Sequence, residues 1–172
     1  MTRLLTSAAC ALLLLLPSRP ALAQGRFNSL APDTSGEPTQ VLSTNPIGLA
    51  VRYLNFEYET QVGVGSGLTA GIGAAHLPKS VGLGAGYGNG DIFIRYYPGG
   101  RVFHGISLDL KTGLTASGGD SVALGAGFDV NATHRLSERV VMSAGIGLKR
   151  VFAGDDSFVL PTIRIFNIGV GF

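Results

Sequence analysis

Charged residues two positions apart interrupt several apolar stretches of this sequence. Glu57 and Glu59 are separated by one tyrosine, and Asp109 and Lys111 are separated by one leucine. If such a stretch forms a β-strand, both charges of a pair point to the same face, because successive side chains alternate between the two faces. Charges gathered on one face can form a hydrogen-bonded ion-pair network, or they can line a polar path for a small solute or ion.

Residues for other kinds of chemistry are scattered. Of the three histidines, His76 is predicted at one end of its strand, whereas His104 and His134 are predicted at the opposite end of theirs. A catalytic serine or histidine needs an activating neighbour, and a metal centre needs several ligands close together. We therefore predict no catalytic residue, no metal site and no cofactor.

Pairs of glycines that spell G-x-G recur along the chain. A phosphate-binding loop would place one such turn between a strand and a helix, whereas these pairs lie in segments with the period of a strand. We interpret them as space on an inner wall that long side chains can cross. The pairs are Gly71/Gly73, Gly84/Gly86, Gly125/Gly127, Gly145/Gly147 and Gly169/Gly171.

The N-terminus has the three-part pattern of a secretory signal. A short basic start is followed by an uncharged apolar run over residues 4–16 and by the small residues of "ALAQ". The apolar run is shorter than the roughly 20 residues that a spanning helix needs. We predict a cleaved signal over residues 1–23, a flexible periplasmic lead-in over residues 24–40 and one domain over residues 41–172.

The mature chain would be balanced in charge, with 11 basic and 11 acidic residues, because the leader holds two of the 13 basic residues and no acid. This balance gives no support to a nucleic-acid partner. The single cysteine, Cys10, lies in the leader, so the mature chain would contain no disulfide.

Hydrophobicity alternates with a period of two through most of the chain after residue 40, and no stretch of a dozen residues has a helical period. The alternating runs last about ten residues, as in tilted transmembrane strands, which take about 9 to 11, whereas globular strands usually take about 5 or 6. We predict an all-β, eight-stranded antiparallel up-and-down transmembrane β-barrel. Its strands are placed at residues 41–50, 52–62, 67–77, 90–98, 104–116, 121–133, 139–152 and 158–172.

The number of strands depends on how Asn89-Gly90 is read, because this dipeptide favours a hairpin turn. A turn there would split the region into strands at 81–88 and 91–97 and give nine strands, or eight if residues 41–62 form one long strand. Single-chain bacterial barrels have an even number of strands. We prefer the first assignment, in which residues 78–90 form the longest loop.

Alternation places seven charges on the inner face of the barrel. An eight-stranded barrel has little lumen, and unpaired buried charges are costly, so we predict that these charges form a plug, with a gated path as the alternative. Arg95 is predicted to be its hub, among Glu57, Asp109 and Asp129, because a guanidinium can bridge carboxylates. The predicted network is Glu57, Glu59, Arg95, Asp109, Lys111, Asp129 and Lys149.

Four short motifs carry a resemblance to known proteins: "NPIG" at 45–48, "FEYE" at 56–59, "IRYYPGG" at 94–100 and a last strand that ends on phenylalanine. Together they resemble a family of small Gram-negative outer-membrane barrels of unknown function, similar in architecture to opacity-type eight-stranded barrels. The resemblance implies an outer-membrane location and supplies no catalytic residues. It also implies outer-membrane lipids, lipopolysaccharide and the barrel-assembly machinery as partners.

In outer-membrane barrels generally, the assembly machinery recognises a terminal phenylalanine that follows apolar residues at alternate positions. The matching residues here are Phe166, Ile168, Val170 and Phe172. Arg164 departs from the pattern, since it occupies the ninth position from the end, where an apolar residue is usual. We predict that it lies near the outer interface, where a cation costs little.

The resulting functional hypothesis is a non-enzymatic outer-membrane barrel with a structural or surface-interaction role. A lipid-modifying outer-membrane enzyme, a narrow channel for small solutes and a soluble secreted barrel that binds an apolar ligand are the alternatives. The sequence identifies no surface ligand.

Overall fold

The structure is a computed structural model that describes residues 36–79, 86–117, 122–153 and 156–172. Eight antiparallel strands form a closed barrel in chain order, in which β8 pairs with β1. The prediction of an all-β chain with an eight-stranded antiparallel barrel is therefore confirmed, while the predicted leader and residues 24–35 lie outside the described residues. The elements are β1 (Gln40–Thr44), α1 (Pro46–Ala50), β2 (Leu54–Gln61), β3 (Leu68–Leu77), β4 (Tyr87–Tyr96), β5 (Gly105–Ser117), β6 (Val122–Arg135), β7 (Val140–Ala153) and β8 (Asp156–Gly171).

The two ends of the barrel differ in what lies there. The terminal end carries the turns after β2, β4 and β6, together with Phe172, whose carbonyl oxygen accepts hydrogen bonds from the backbone nitrogens of Thr39 and Gln40 at 3.2 and 3.1 Å. The loop end carries the connections after β1, β3, β5 and β7. The interior near the terminal end contains a cluster of five buried apolar residues, Val41, Tyr97, Val102, Phe103 and Val141.

The barrel is apolar outside and polar inside. Among the described residues, 30 large hydrophobic side chains are exposed, whereas 13 polar or charged residues are buried. On β5, Leu108 and Leu110 are 50% and 72% exposed, but Asp109 between them is only 2% exposed. Strand alternation produces this pattern. It is the reverse of the usual distribution in water-soluble proteins, in which charged residues are rarely buried.

Residues 46–50, which alternation predicts as part of the first strand, form the helix α1 instead, so this part of the prediction is wrong. Pro46 has no backbone N–H and cannot donate to a strand ladder. Asn45 caps the helix, because its side-chain oxygen accepts a hydrogen bond from the Gly48 nitrogen at 2.8 Å. An asparagine cap followed by proline is a helix-start signal that outweighs the alternation of this short segment.

The prediction that β4 begins at residue 90 is also wrong, because β4 begins at Tyr87 and contains the Asn89-Gly90 dipeptide. Asn89 pairs with Ala75 on β3 and with Thr115 on β5, so both neighbouring strands hold it in an extended conformation. Tertiary pairing overrides the local turn preference here. The nine-strand assignment is therefore excluded, as is the one long strand over residues 41–62.

A bulge in β8 changes which face its residues present. Ser143 pairs with Asn167 and Gly145 pairs with Arg164, so two steps along β7 correspond to three along β8. An extra residue of this kind breaks the alternation of the bulged strand. Arg164 consequently faces the interior, and the prediction that it lies near the outer interface is wrong.

Candidate functional site: the charged interior of the barrel

Arg95 lies among three carboxylates and is 2% exposed. Its guanidinium donates to Asp109 through two bonds, from Nε to Oδ1 at 2.7 Å and from Nη2 to Oδ2 at 2.8 Å. It also donates to Glu57 Oε1 at 2.9 Å and to Glu59 Oε2. The planar guanidinium has five N–H donors, which allows one arginine to bind several carboxylates at once.

The strand register explains how these groups meet. Arg95 on β4 is directly opposite Asp109 on β5. On its other side lies β3, where the inward residues Thr69 and Gly71 are small, so the long side chains of Arg95 and Glu59 meet across this strand. A Cβ atom on Gly71 would overlap the ring of Phe93 and the backbone oxygen of Tyr58.

Glu59 connects the ion pairs to the apolar cluster at the terminal end. Its carboxylate accepts a hydrogen bond from Thr69 Oγ1 at 2.5 Å and another from the Tyr97 hydroxyl at 3.1 Å. Tyr97 in turn packs against Phe103, with ring centroids 6.3 Å apart. The polar and apolar parts of the interior are therefore in direct contact.

Glu57 binds a second arginine, Arg164, through Arg164 Nη2 and Glu57 Oε2. The Arg164 side chain is 14% exposed and reaches this carboxylate from β8, on the far side of β1. Arg95 and Arg164 thus share one carboxylate. The bulge makes this contact geometrically available, because it turns Arg164 inward.

Two further ion pairs occupy the interior nearer the loop end. Lys111 Nζ donates to both oxygens of Asp129 at 2.7 and 2.6 Å, and Thr162 Oγ1 donates to Asp129 Oδ1 at 2.5 Å. Lys149 Nζ donates to Asp91 Oδ1 at 2.5 Å. The structure therefore places Asp129 against Lys111, and not against Arg95.

All seven charges of the predicted network line the interior, and the structure adds Asp91 and Arg164 to them. Asp91 is in the same alternation phase as Phe93 and Arg95, so the sequence contained the signal for it. The sequence contains no such signal for the inward orientation of Arg164, because this orientation depends on the bulge in β8. Five carboxylates and four basic side chains now share the interior.

Inward glycines make room for these charges. Asp129 lies directly opposite Gly147, Lys149 opposite Gly127, and Asp91 opposite Gly113. A Cβ atom on Gly147 would overlap the Asp129 carboxylate and a backbone oxygen of β6. Gly125, Gly127 and Gly147 of the recurring G-x-G pairs thus lie beside charged side chains, whereas Gly169 and Gly171 lie against Val41, Val141 and Pro38. Gly84 is outside the described residues.

A cavity of about 500 Å³ lies between these ion pairs and the loop end. Its lining includes charged residues from the Arg95 cluster, from the Lys111–Asp129 pair and from the Lys149–Asp91 pair. Tyr53, Asn89 and Tyr87 line it towards the loop end. Three of its lining residues have side-chain polar atoms without a hydrogen-bond partner among the described residues, namely Asn89 Oδ1, Arg164 Nη1 and the amide of Asn131. Asn131 is 2% exposed.

The histidines are divided between the two ends of the barrel. His76 pairs with Leu54 near the loop end, whereas the rings of His104 and His134 lie with their centroids 6.1 Å apart at the terminal end. Within the described residues, no group of three or more histidine, cysteine, aspartate or glutamate side chains is arranged to hold a metal ion. No helix of the described part of the chain is long and apolar enough to cross a membrane.

Three of the residues predicted as an assembly signal lie at the end of β8, and the fourth, Phe172, directly follows this strand. Val170 and Phe172 are 55% and 62% exposed, and the alternate residues Gly169 and Gly171 are buried. Phe166 and Ile168 follow the same outward phase and are half-buried.

Arg101 and Arg135 interact with Glu37 at the terminal end of the barrel. Glu37 Oε1 accepts hydrogen bonds from Arg101 Nη2 at 2.6 Å and lies 3.3 Å from Arg135 Nη1. Burial alone would raise the pKa of Glu37, but the hydrogen bond from Arg101 and the charge of Arg135 outweigh it, so the pKa is lowered. This cluster ties the segment before β1 to the turn after β4.

Comparisons with family models, curated proteins and solved structures found no match to this chain.

Proposed function

We propose that this chain is an outer-membrane β-barrel of a Gram-negative bacterium, with a structural or surface-interaction role and an interior closed to solutes. The single observation that carries the proposal is the distribution of side chains, with large apolar residues outside and paired charges inside. In water, so large an apolar surface would favour association. In lipid, an outward apolar band and a polar interior are the normal arrangement of a transmembrane barrel.

Strand length supports the same proposal. From β3 onward every strand has 10 residues or more, and β8 has 16. Roughly 9 to 11 tilted residues suffice to cross the hydrocarbon core. In the proposed orientation the terminal end faces the periplasm, and the resemblance to small outer-membrane barrels of unknown function belongs to the proposal.

Closure of the interior is supported by the contacts that fill it. Arg95 and its three carboxylates cross the lumen, and the apolar cluster around Tyr97 and Phe103 lies below them at the terminal end. The interior of an eight-stranded barrel is just wide enough for side chains to fill. The proposed role is non-enzymatic, because the charged side chains of the interior are engaged in ion pairs with one another.

Cell fractionation combined with gel mobility tests the location. The mature protein should remain in the membrane fraction after urea extraction, and unheated samples should migrate differently from boiled ones, because a folded barrel resists detergent until heated. Recovery of the protein in the soluble periplasmic fraction, without detergent, would refute the proposal.

Planar-bilayer recording tests the closure. Purified protein should insert without producing discrete conductance steps, because Arg95 and its carboxylates occupy the lumen. Regular steps from the wild-type protein, absent from a mock preparation, would instead support the narrow-channel alternative.

A further inference from the structure

The wall of the barrel is incomplete beside β1. β8 pairs with β7 from Asp156 to Val170, but it pairs with β1 only from Ile168 to Gly171. Within the part of the chain that the structure describes, the edge of β8 over residues 157–167 therefore has no ladder partner on this side. Among the described residues, the connection over residues 45–53 makes no backbone hydrogen bond to that edge. Helix α1 lies beside β8 here without pairing to it. We call this stretch, between β8 on one side and α1 with the start of β2 on the other, the notch.

The notch is deep enough to reach the apolar band that the proposed membrane location requires. β1 has five residues, which rise roughly 12 Å along the membrane normal at about 3.3 Å per residue and a tilt of about 45°. The apolar band of an outer-membrane barrel is about 25 Å tall. The wall at β1 thus covers about half of the band, and α1, with five residues, adds only about 7 Å of helix.

The cavity extends to the notch. Its lining contains the consecutive residues Thr162, Ile163 and Arg164 of β8, and Tyr53 and Asn55 on the opposite side. Ile163 faces outward and is 64% exposed, whereas Arg164 faces the interior. Thr162 and Arg164 lie on the part of β8 that has no strand partner on its β1 side, so the cavity borders the notch. Exposed backbone within a membrane is tolerated where it lines such a polar cavity.

The rim of the notch is apolar and its interior is charged. Ile47 and Leu49 of α1 are 55% and 40% exposed, and Ile163 and Ile165 of β8 are 64% and 66% exposed. Inside, Arg164 Nη1 has no partner among the described residues, and carboxylates outnumber basic groups by five to four. A ligand that fits this arrangement has an apolar tail, an anionic group for Arg164 and a cationic group for the excess acid. A purely anionic head would meet the excess of carboxylates.

We propose that the notch is a lateral portal through which a zwitterionic lipid, whose head carries a phosphate and an ammonium, places that head in the cavity while its acyl chain stays along the apolar rim. This inference rests on the proposed membrane location. The phosphate accepts charge-assisted hydrogen bonds from Arg164 Nη1, and attraction between opposite charges holds the ammonium near the carboxylates.

A matched pair of glycine variants tests the portal. Gly73 lines the cavity, and a Cβ atom there would come no closer than 3.8 Å to its neighbours, so we expect the side chain of Gly73→Leu to extend into the cavity. Gly90 is exposed on the outer wall, and a Cβ atom there would have no neighbour within 4 Å, so Gly90→Leu is the control. Each protein is first checked for membrane insertion by heat-modifiable mobility.

Each folded protein is then mixed in a glucoside detergent with equimolar lysophosphatidylcholine and lysophosphatidylglycerol, and retained lipid is counted by native mass spectrometry. Wild type and Gly90→Leu should retain one lysophosphatidylcholine, and Gly73→Leu should lose this by roughly tenfold or more. Equal retention by Gly73→Leu, or no retention by the inserted wild type, would overturn the portal. Preference for lysophosphatidylglycerol would overturn the zwitterionic head. Failure to insert would instead count against the proposed function.

Discussion

Replacing Arg95 should destabilise the barrel more than any other single change among its charges. Arg95→Ala leaves Asp109 and Glu59 without a cation, whereas Glu57 still has Arg164. Removing one partner of a buried ion pair costs about 3 to 5 kcal/mol. With a urea slope of roughly 1 to 3 kcal/mol per molar, the midpoint of unfolding should fall by about 1 M or more.

The matched comparison is Arg164→Ala, which leaves Glu57 with Arg95 as its partner. Its cost should be closer to that of charge-assisted hydrogen bonds, roughly 1.5 to 3 kcal/mol. Unfolding is followed by circular dichroism of protein refolded in lipid vesicles, with urea as the denaturant. A double variant, Arg95→Met with Asp109→Asn, should recover part of the loss, because it removes a carboxylate that would otherwise be buried without a cation.

Equal and mild effects of Arg95→Ala and Arg164→Ala would refute this reasoning. They would mean that water in the interior screens the carboxylates, so that Asp109 and Glu59 do not need the guanidinium. The ion pairs would then not close the lumen.

Three further predictions concern the terminal end and the glycines. Glu37→Gln should lower the free energy of unfolding at pH 7, as measured by urea titration. The difference from wild type should vanish as the pH falls through the pKa of Glu37, which is lowered from its usual value of about 4.3. Glu138→Gln, at an exposed position, is the control. Deleting Phe172 should slow insertion and leave unassembled chain for periplasmic proteases, as pulse-chase with mobility shift can measure. Gly147→Ala should prevent or strongly destabilise folding, since its Cβ overlaps Asp129 and backbone, whereas Gly73→Ala should fold normally in the same mobility assay.

Each of these has an opposite result that would contradict it. A difference between Glu37→Gln and wild type that persists in acid would show that the ion pairs with Arg101 and Arg135 are not its cause. Normal insertion kinetics without Phe172 would remove the assembly role of the last strand. Normal folding of Gly147→Ala would show that the wall near Asp129 is less tightly packed than its register implies.

The barrel itself could be predicted from the sequence because strand alternation is a local signal. Leu108, Asp109 and Leu110 illustrate this, since polarity alone assigns each to the correct face. The same alternation places Arg95 inside, and it applies equally to Asp91, which the predicted network omits. Wherever the ladder is regular, polarity and orientation agree.

The errors lie where the ladder is irregular. The Asn45-Pro46 helix start replaces the second half of the first strand, and pairing on both sides keeps Asn89-Gly90 extended. The inward turn of Arg164 depends on a bulge between β7 and β8, which is a property of two paired strands rather than of either segment alone. The notch follows from the short β1 and could not be anticipated by a sequence assignment that made this strand ten residues long.

Tryptophan quenching in vesicles tests the central claim, that this barrel places its apolar face in lipid and its charges inside. The chain contains no tryptophan, so Leu110→Trp and Phe93→Trp each give a single reporter, the first 72% and the second 7% exposed before substitution. In vesicles with brominated acyl chains, tryptophan at position 110 should be strongly quenched and tryptophan at position 93 should not. Equal quenching at the two positions, or protection of position 110, would contradict the claim.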